Sequence, residues 1–273
     1  MFPNVYGFHW TPWHVTFLAV FFTIACVIAT TLLMAWRRAA RDLRLNRQNA
    51  IRWHETFEEM PEADRVCRHQ LTGEFKHRVC QREFACDRCE THAQLLELHP
   101  IQECTDENPF GLPFPADRLY HRGHTWVRRE DDGTVTVGLD ALGERVIGKD
   151  VSVQLPNPGE SLEANGVAWR VRKDGCETHV LAPVSGEVVE TGGPEAGFYL
   201  RMKPALPLST RHLLSAGEVR PWLLRELERL QIMLPSVEGS ASLADGGVPV
   251  DDLPAACPSA NWDAVWGRVF MDR

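Results

Sequence analysis

The sequence has 273 residues, of which 44% are hydrophobic and 24% are charged, and its formal net charge is -8. This length suits one or two domains with additional segments, and the hydrophobic fraction excludes disorder over most of the chain. The acidic balance also argues against a nucleic-acid-binding domain, which normally has a basic surface. The mean hydropathy of -0.24 averages one very apolar segment with a polar remainder.

The apolar segment covers residues 15–36, which carry no charged side chain. A helix of this length spans about 33 Å, enough to cross the hydrocarbon core of a bilayer. Residues 1–14 form a short N-terminus without Lys or Arg, and this argues against a cleaved signal peptide. Arginines follow the segment at Arg37, Arg38, Arg41, Arg44, Arg47 and Arg52. The positive-inside rule therefore predicts a single-pass protein of the inner (cytoplasmic) membrane, with the N-terminus outside and most of the chain cytoplasmic.

Residues 37–61 are predicted to form a basic juxtamembrane helix, because no Gly or Pro occurs before Pro61, where a helix can end. The next segment, residues 62–112, is rich in cysteine. Four of the eight cysteines occur there with the spacing C-x12-C-x5-C-x2-C: Cys67, Cys80, Cys86 and Cys89.

Disulfides are disfavoured in the reducing cytoplasm, so four clustered thiols indicate a metal site. The sequence predicts zinc, which binds four thiolates tetrahedrally, with an iron–sulfur cluster as the alternative. Redox-active thiols without a metal are a third interpretation. The isolated cysteines are interpreted as structural or incidental: Cys26, Cys104, Cys176 and Cys257.

Residues 113–234 contain short β-type runs separated by turn signals every eight to twelve residues. Residues 125–129 and 134–137 are predicted to form a hairpin, and so are the runs on either side of Lys173-Asp174-Gly175, where an Asp-Gly turn is expected. The pattern predicts a compact antiparallel sandwich or barrel.

Several of these runs resemble motifs of the glycine cleavage H-protein family, in the same order along the chain. They are YHRGHTWV at 120–127, TVGLD at 136–140, IGKDVSVQLP at 147–156, APVSGEVVE at 182–190 and GFYLRMKP at 197–204. The resemblance implies a lipoyl/biotinyl-type barrel-sandwich followed by C-terminal helices over residues 208–234. The predicted fold class is thus one N-terminal transmembrane helix plus a mainly-β domain with C-terminal helices, α+β overall.

In this family an aminomethyl group is carried on a lipoyl arm attached to a lysine eight residues before the Pro of PVSG. The corresponding residue is Gly175, and the nearest lysine is Lys173. The resemblance therefore implies Lys173 as the one candidate for lipoylation. For Lys173 to lie at the tip of the hairpin, the hairpin loop would have to be two residues longer than the Asp-Gly turn. We predict that this domain is not lipoylated.

Beyond the β-rich domain, residues 221–234 have the leucine spacing of an amphipathic helix. Residues 235–258 are predicted to be a linker, because they are rich in Gly, Ser, Asp and Pro. Residues 259–273 regain apolar side chains at helical spacing and are predicted to form a helix that docks on the chain's own barrel or on a partner.

No Ser/His/Asp arrangement, P-loop or GxGxxG motif is apparent, so the sequence predicts neither an enzyme nor a small-molecule substrate. The predicted function is that of a scaffold or accessory subunit. It presents a degenerate H-type domain and a four-Cys metal site to other subunits of a membrane redox or respiratory complex. Two alternatives are a membrane-tethered lipoyl carrier using Lys173 and a redox or zinc sensor acting through the cysteine cluster.

Overall fold

The computed structural model describes residues 11–44, 57–98, 105–234 and 249–272. The chain divides into two compact units, Met1–Ala50 and Ile51–Arg273. The first unit contains a long helix, and the second contains the β-rich domain with the Cys-rich and C-terminal segments.

Helix α1 (Pro12–Arg44) forms the first unit. Among the described residues, this is the helix that is long and apolar enough to cross a membrane, with a mean hydropathy of 2.5 over Pro12–Arg37. The hydroxyl group of Thr23 donates a hydrogen bond to the carbonyl of Ala19 at 2.7 Å. Such bonds satisfy polar groups within the helix, as an apolar environment requires.

The predicted juxtamembrane helix of residues 37–61 is described only in part. Helix α1 continues past Trp36 as far as Arg44, whereas residues 45–56 lie outside the described residues. Residues 57–59 are helical, and that helix ends before Pro61.

Within its described residues, the second unit has ten strands in two antiparallel sheets. They are β1 (Arg118–Tyr120), β2 (Thr125–Arg129), β3 (Val135–Leu139), β4 (Ser152–Gln154), β5 (Ser161–Leu162), β6 (Val167–Lys173), β7 (Cys176–Leu181), β8 (Gly186–Gly193), β9 (Phe198–Pro204) and β10 (Leu214–Ser215). The large sheet has the order β10-β1-β2-β3-β9-β8-β5, and the small sheet has the order β4-β6-β7. This architecture confirms the predicted fold class.

The helices of the second unit that are described are shorter. They are α2 (Arg68–Leu71), α3 (Glu90–Leu98), α4 (Ala141–Ile147), α5 (Val219–Met233), α6 (Leu253–Ala256) and α7 (Trp262–Val269). Helix α4 has no counterpart in the sequence analysis, because seven residues are too few to establish a helical period. Its start is fixed by Asp140, whose carboxylate accepts hydrogen bonds from the amides of Leu142 and Gly143 at 3.0 and 2.8 Å.

Close contacts between aromatic side chains and other residues hold the sheets together. The rings of Trp169 in β6 and Tyr199 in β9 stack at 4.8 Å, and this pair joins the small sheet to the large one. In the β2–β3 hairpin, the indole of Trp126 lies over Gly138, where a Cβ would come within 2.5 Å of the ring. This packing therefore requires glycine at position 138.

The Cys-rich segment packs against the β-rich domain instead of forming a separate body. Val66 and Leu71 belong to the same buried cluster as the barrel residues. Arg68 is 5% exposed, and its guanidinium donates to the carbonyl of Leu213 at 3.1 Å and to Glu218 at 2.7 Å. The segment therefore does not depend on a core of its own.

The C-terminal part of the domain differs from the sequence expectation at two places. Helix α5 begins at Val219, whereas the family resemblance implied helices from residue 208. Residues 235–248 of the predicted linker lie outside the described residues, but residues 249–258 include α6, whose Leu253 is 3% exposed. Residues 249–258 are packed because several of their apolar residues are buried, including Leu253, Pro254 and Cys257.

Helix α7, within the predicted docking segment 259–273, lies against the chain's own barrel. Trp266 is 1% exposed and its indole N–H donates to the carbonyl of Val146 at 2.9 Å. Phe270, directly after the helix, is completely buried. The C-terminal segment, defined as residues 249–272, is therefore part of the domain's core.

Candidate functional site

The β6–β7 hairpin is the place where the family resemblance puts a carrier lysine. Its turn consists of Asp174 and Gly175, whose φ angles are 50° and 86°. Lys173 and Cys176 are paired directly below the turn. A two-residue Asp-Gly turn of this kind leaves no room for a longer loop. Lys173 therefore ends a strand and does not occupy the tip.

The side chain of Lys173 lies against the domain. Its Nζ donates a hydrogen bond to the carbonyl of Lys149 at 2.5 Å and lies 3.9 Å from the carboxylate of Asp252. The side chain is 15% exposed. Asp252 belongs to the C-terminal segment and also accepts from the amides of Lys149 and Ala255. The Lys149 carbonyl and the C-terminal segment thus hold the lysine in place together.

This contact predicts the reactivity of the amine. In the folded protein, Lys173 should be acetylated by an amine-selective reagent about fivefold more slowly than the exposed Lys203, because a hydrogen bond worth roughly 1 kcal/mol must first break. Asp252→Ala should bring the rate of Lys173 closer to that of Lys203. Peptide mass spectrometry over a time course measures both rates, and equal rates in the wild type would contradict the described contact.

The four clustered cysteines lie on successive pieces of the Cys-rich segment. Cys67 directly precedes α2. The antiparallel bridge between Val66 and Val79 brings the backbone of Cys80 close to that of Cys67. Cys86 begins a 3-10 turn, Cys86–Arg88, and Cys89 follows that turn. Cys67 and Cys86 are buried, whereas Cys80 and Cys89 are partly exposed.

The four thiols are not arranged as ligands of one metal ion in this structure. Among the residues that the structure describes, no three His, Cys, Asp or Glu side chains form a group that could hold a metal ion. Burial raises the pKa of Cys67 and raises that of Cys86 to about 11, so these thiols are protonated at neutral pH. The amide of Phe84 donates to the Cys80 sulfur at 3.4 Å. The four-Cys zinc site therefore stays a prediction.

Arg122 contacts residues close in sequence to Cys67 and Cys86, although the sequence analysis did not single it out. It is 8% exposed, and its Nη1 donates to the carbonyl of Val66 at 2.8 Å. The guanidinium carbon lies 3.6 Å from the centre of the Phe84 ring. In the sequence Arg122 is only a turn arginine, and no local signal connects it with cysteines more than thirty positions earlier.

A second group links the exposed Glu74 to the buried His69 and His92. Glu74 contacts His69 Nδ1, and His69 Nε2 lies 2.9 Å from His92 Nδ1. Burial lowers the pKa of both histidines, that of His92 to about 4, so both are neutral at pH 7. A carboxylate only accepts, so His69 donates from Nδ1 and accepts from His92 at Nε2. His92 Nε2, buried and without a hydrogen-bond partner in the described residues, therefore presents a lone pair.

The three histidines that the sequence offers near this domain's start and second sheet, His121, His124 and His179, bond three different partners. His121 Nε2 lies 2.8 Å from Asn165, and His124 Nδ1 lies 2.9 Å from Asp140. His179 Nδ1 lies 2.9 Å from Asp272 in the C-terminal segment. Each imidazole therefore has its own structural partner. Cys176 is partly exposed below the hairpin turn, and Cys104 lies outside the described residues.

Comparison with known proteins explains the arrangement of the barrel. The family model described as "Glycine cleavage H-protein" matches residues 118–193. The glycine cleavage system H protein of Neisseria meningitidis serogroup C is 36% identical over 117 residues, which cover 38% of this chain and 91% of that protein. The chain belongs to the glycine cleavage H-protein family. The resemblance inferred from the motifs is thus confirmed.

Other H proteins match the same part of the chain. The glycine cleavage system H protein of Psychrobacter cryohalolentis is 34% identical, over 38% of this chain and 93% of that protein. A crystal structure of a glycine cleavage system H protein from Mycobacterium marinum covers 39% of this chain and 95% of that chain, with 27% identity and a TM-score of 0.34. The matched part is the H-type domain, and the N-terminal helix lies before it.

The motif resemblance places the family's carrier position at Gly175. Gly175, eight residues before Pro183, occupies the hairpin turn, and a Cβ there would meet no atom within 4 Å. The turn is therefore open to the surroundings, but it carries no lysine. Lys173, two residues earlier, has its amine bonded to Lys149.

Proposed function

We propose that this chain is a non-catalytic, single-span membrane protein whose H-type domain has no lipoyl arm. It serves as a scaffold or accessory subunit of a membrane complex. The observation that carries the proposal is the hairpin, in which Asp174 and Gly175 form the turn and the Lys173 side chain is bonded to the domain. A carrier needs a mobile arm attached to an accessible lysine amine. The turn of this hairpin has no lysine to which such an arm could be attached.

The proposed location is the inner membrane, with the H-type domain on the cytoplasmic face. The apolar stretch Pro12–Arg37 and the arginines that follow it support this topology. Protease treatment of inverted membrane vesicles tests it, because a cytoplasmic H-type domain is digested there and is protected in right-side-out spheroplasts. The opposite pattern would overturn the proposed orientation.

The proposed partners are other protein subunits of a membrane complex, as expected for an H-type domain attached to a membrane helix. Native purification in mild detergent tests this part of the proposal. The chain should elute with other subunits at a fixed ratio, and mass spectrometry identifies them. A chain that elutes alone under several mild detergents would contradict a role as a complex subunit.

The second candidate function is a thiolate metal site or redox sensor in the Cys-rich segment. It is supported by the antiparallel bridge between Val66 and Val79, which brings the backbone of Cys67 and Cys80 close together. Zinc is the proposed metal, and an iron–sulfur cluster is the alternative. To bind zinc or an iron–sulfur cluster, the thiols must approach one another and lose their protons. The fraction of protein that holds the metal therefore depends on pH.

Metal analysis of the purified full-length chain tests this second function. The wild type should contain zinc, or iron with acid-labile sulfide, at a fixed ratio to protein. Cys86→Ser and Cys89→Ser should each abolish that content, whereas Cys257→Ser, outside the cluster, should not. Equal metal content in all four proteins would remove the proposal that these thiols bind metal.

A further inference from the structure

A small cavity lies where four parts of the second unit meet. Its volume is about 30 Å³, which is room for a water molecule or an ion of similar size. The Cys-rich segment, the turn between β1 and β2, helix α5 and the C-terminal segment all contribute to its lining. The charged residues of the lining are Asp64, Arg122, Glu226, Arg229 and Arg268.

The charges of this lining do not balance. The carboxylate of Asp64 lies 2.9 Å from the guanidinium of Arg268, and that of Glu226 lies 2.8 Å from the guanidinium of Arg229. These two pairs are each neutral. Arg122 is the third arginine against two carboxylates, so the lining has one excess positive charge.

The contacts of Arg122 do not supply the missing negative charge. Its Nη1 donates to the neutral carbonyl of Val66, and its guanidinium stacks on the ring of Phe84. The thiols of Cys67 and Cys86 are protonated at neutral pH, because burial raises the pKa of both.

One nitrogen of this guanidinium also lacks an acceptor. Arg122 is 8% exposed, and its Nη2 is buried without a hydrogen-bond partner among the residues described. A buried cation with an unused donor is destabilising unless an anion or a water molecule lies beside it. The excess charge of the lining favours the anion over the water molecule.

We propose that the cavity binds one monovalent anion of the size of chloride, and that Nη2 of Arg122 donates to it. A single negative charge balances the excess charge of the lining, and the small volume excludes larger anions such as phosphate. The lining exists only when the Cys-rich and C-terminal segments are packed on the H-type domain. Anion binding therefore stabilises that packing.

Urea unfolding of the full-length protein in detergent tests this site, with sodium gluconate replacing sodium chloride at constant ionic strength. Raising chloride from about 1 mM to about 100 mM should increase the folding equilibrium constant of the wild type about tenfold, as linkage predicts for a site half-filled at about 10 mM. Arg122→Gln should lose this response, because it removes the excess charge. Arg172→Gln, which removes an exposed arginine paired with Glu177 outside the cavity, should keep it.

Anomalous diffraction locates the ion without any variant. Crystals of the full-length protein grown in sodium bromide should show a bromide peak in the cavity, within hydrogen-bond distance of Arg122 Nη2. This measurement decides the question if Arg122→Gln fails to fold.

Three results would overturn the proposal. An equal response to chloride in Arg122→Gln, or a bromide peak only outside the cavity, would show that the ion acts elsewhere. A wild type that does not respond to chloride, with a water molecule in the cavity of the bromide crystals, would show that water is the partner of Nη2.

Discussion

Asp140→Ala is expected to lower the free energy of unfolding of the H-type domain by about 3–5 kcal/mol, the usual effect of breaking a buried charged pair. The side chains of Asp140 and His124 are both completely buried, with the carboxylate 2.9 Å from Nδ1. The same carboxylate caps α4 at Leu142 and Gly143. Its removal leaves an imidazole and two amides without partners. Chemical denaturation followed by tryptophan fluorescence measures the loss.

The pair also predicts a dependence on pH. Burial lowers the pKa of His124, but the charge and hydrogen bond of Asp140 raise it more, so the net shift is upward from 6.5. A group with a raised pKa in the folded state stabilises fully below its unfolded pKa, and this stabilisation is lost as the pH rises through the folded value. Stability from this pair should therefore decline above about pH 6.5.

One variant separates the effect of the charge from that of the helix cap, and a second serves as a control. Asp140→Asn removes the carboxylate charge, so the pH dependence of stability should be lost. Its amide oxygen can still accept hydrogen bonds from the α4 amides, so part of the stability should be retained. Asp132→Asn, at an exposed turn, should change the free energy of unfolding by less than about 0.5 kcal/mol. A loss below 1 kcal/mol in Asp140→Ala would contradict the structural role given to the pair.

Trp266→Ala is expected to lower the free energy of unfolding by about 3–5 kcal/mol, in the range for large aromatic side chains removed from a core. The indole is 1% exposed and donates to the Val146 carbonyl. Its neighbours Val269 and Phe270 are buried in the same cluster. Loss of this anchor should release the C-terminal segment and expose Lys173 to acetylation.

Denaturation and limited proteolysis together check this prediction. In Trp266→Ala, the segment after residue 248 should be cleaved at protease concentrations that leave the wild type intact. Trp262→Ala provides a matched control, because that indole is only partly buried and donates to a carbonyl of its own segment, Cys257. An unchanged unfolding midpoint in Trp266→Ala would show that the C-terminal segment is not part of the core.

Local patterns sufficed to predict several strands of the barrel. The hairpin of β6 and β7 follows from alternating side chains and an Asp-Gly turn, which is information held within fifteen residues of sequence. The family motifs supplied the order of the strands. Short elements such as α4 and β5 were missed, because their few residues contain no period that distinguishes them from loops.

The candidate site depends on contacts between distant residues, and these were not predictable. The Arg122 contact with Val66 joins residues 56 positions apart. Lys173 is bonded to Lys149, 24 positions away, and lies beside Asp252 in a region interpreted as a linker. Composition marked that region as polar, but several of its apolar residues are buried, among them Leu253, Pro254 and Cys257.

The central claim is that this H-type domain carries no lipoyl arm, and intact mass measurement of the full-length chain tests it most directly. The protein is purified from cells that lipoylate their own H protein, which serves as the positive control in the same sample. We expect the chain to have the mass of its unmodified sequence. An adduct of about 188 Da, mapped to Lys173 by peptide fragmentation, would contradict the claim.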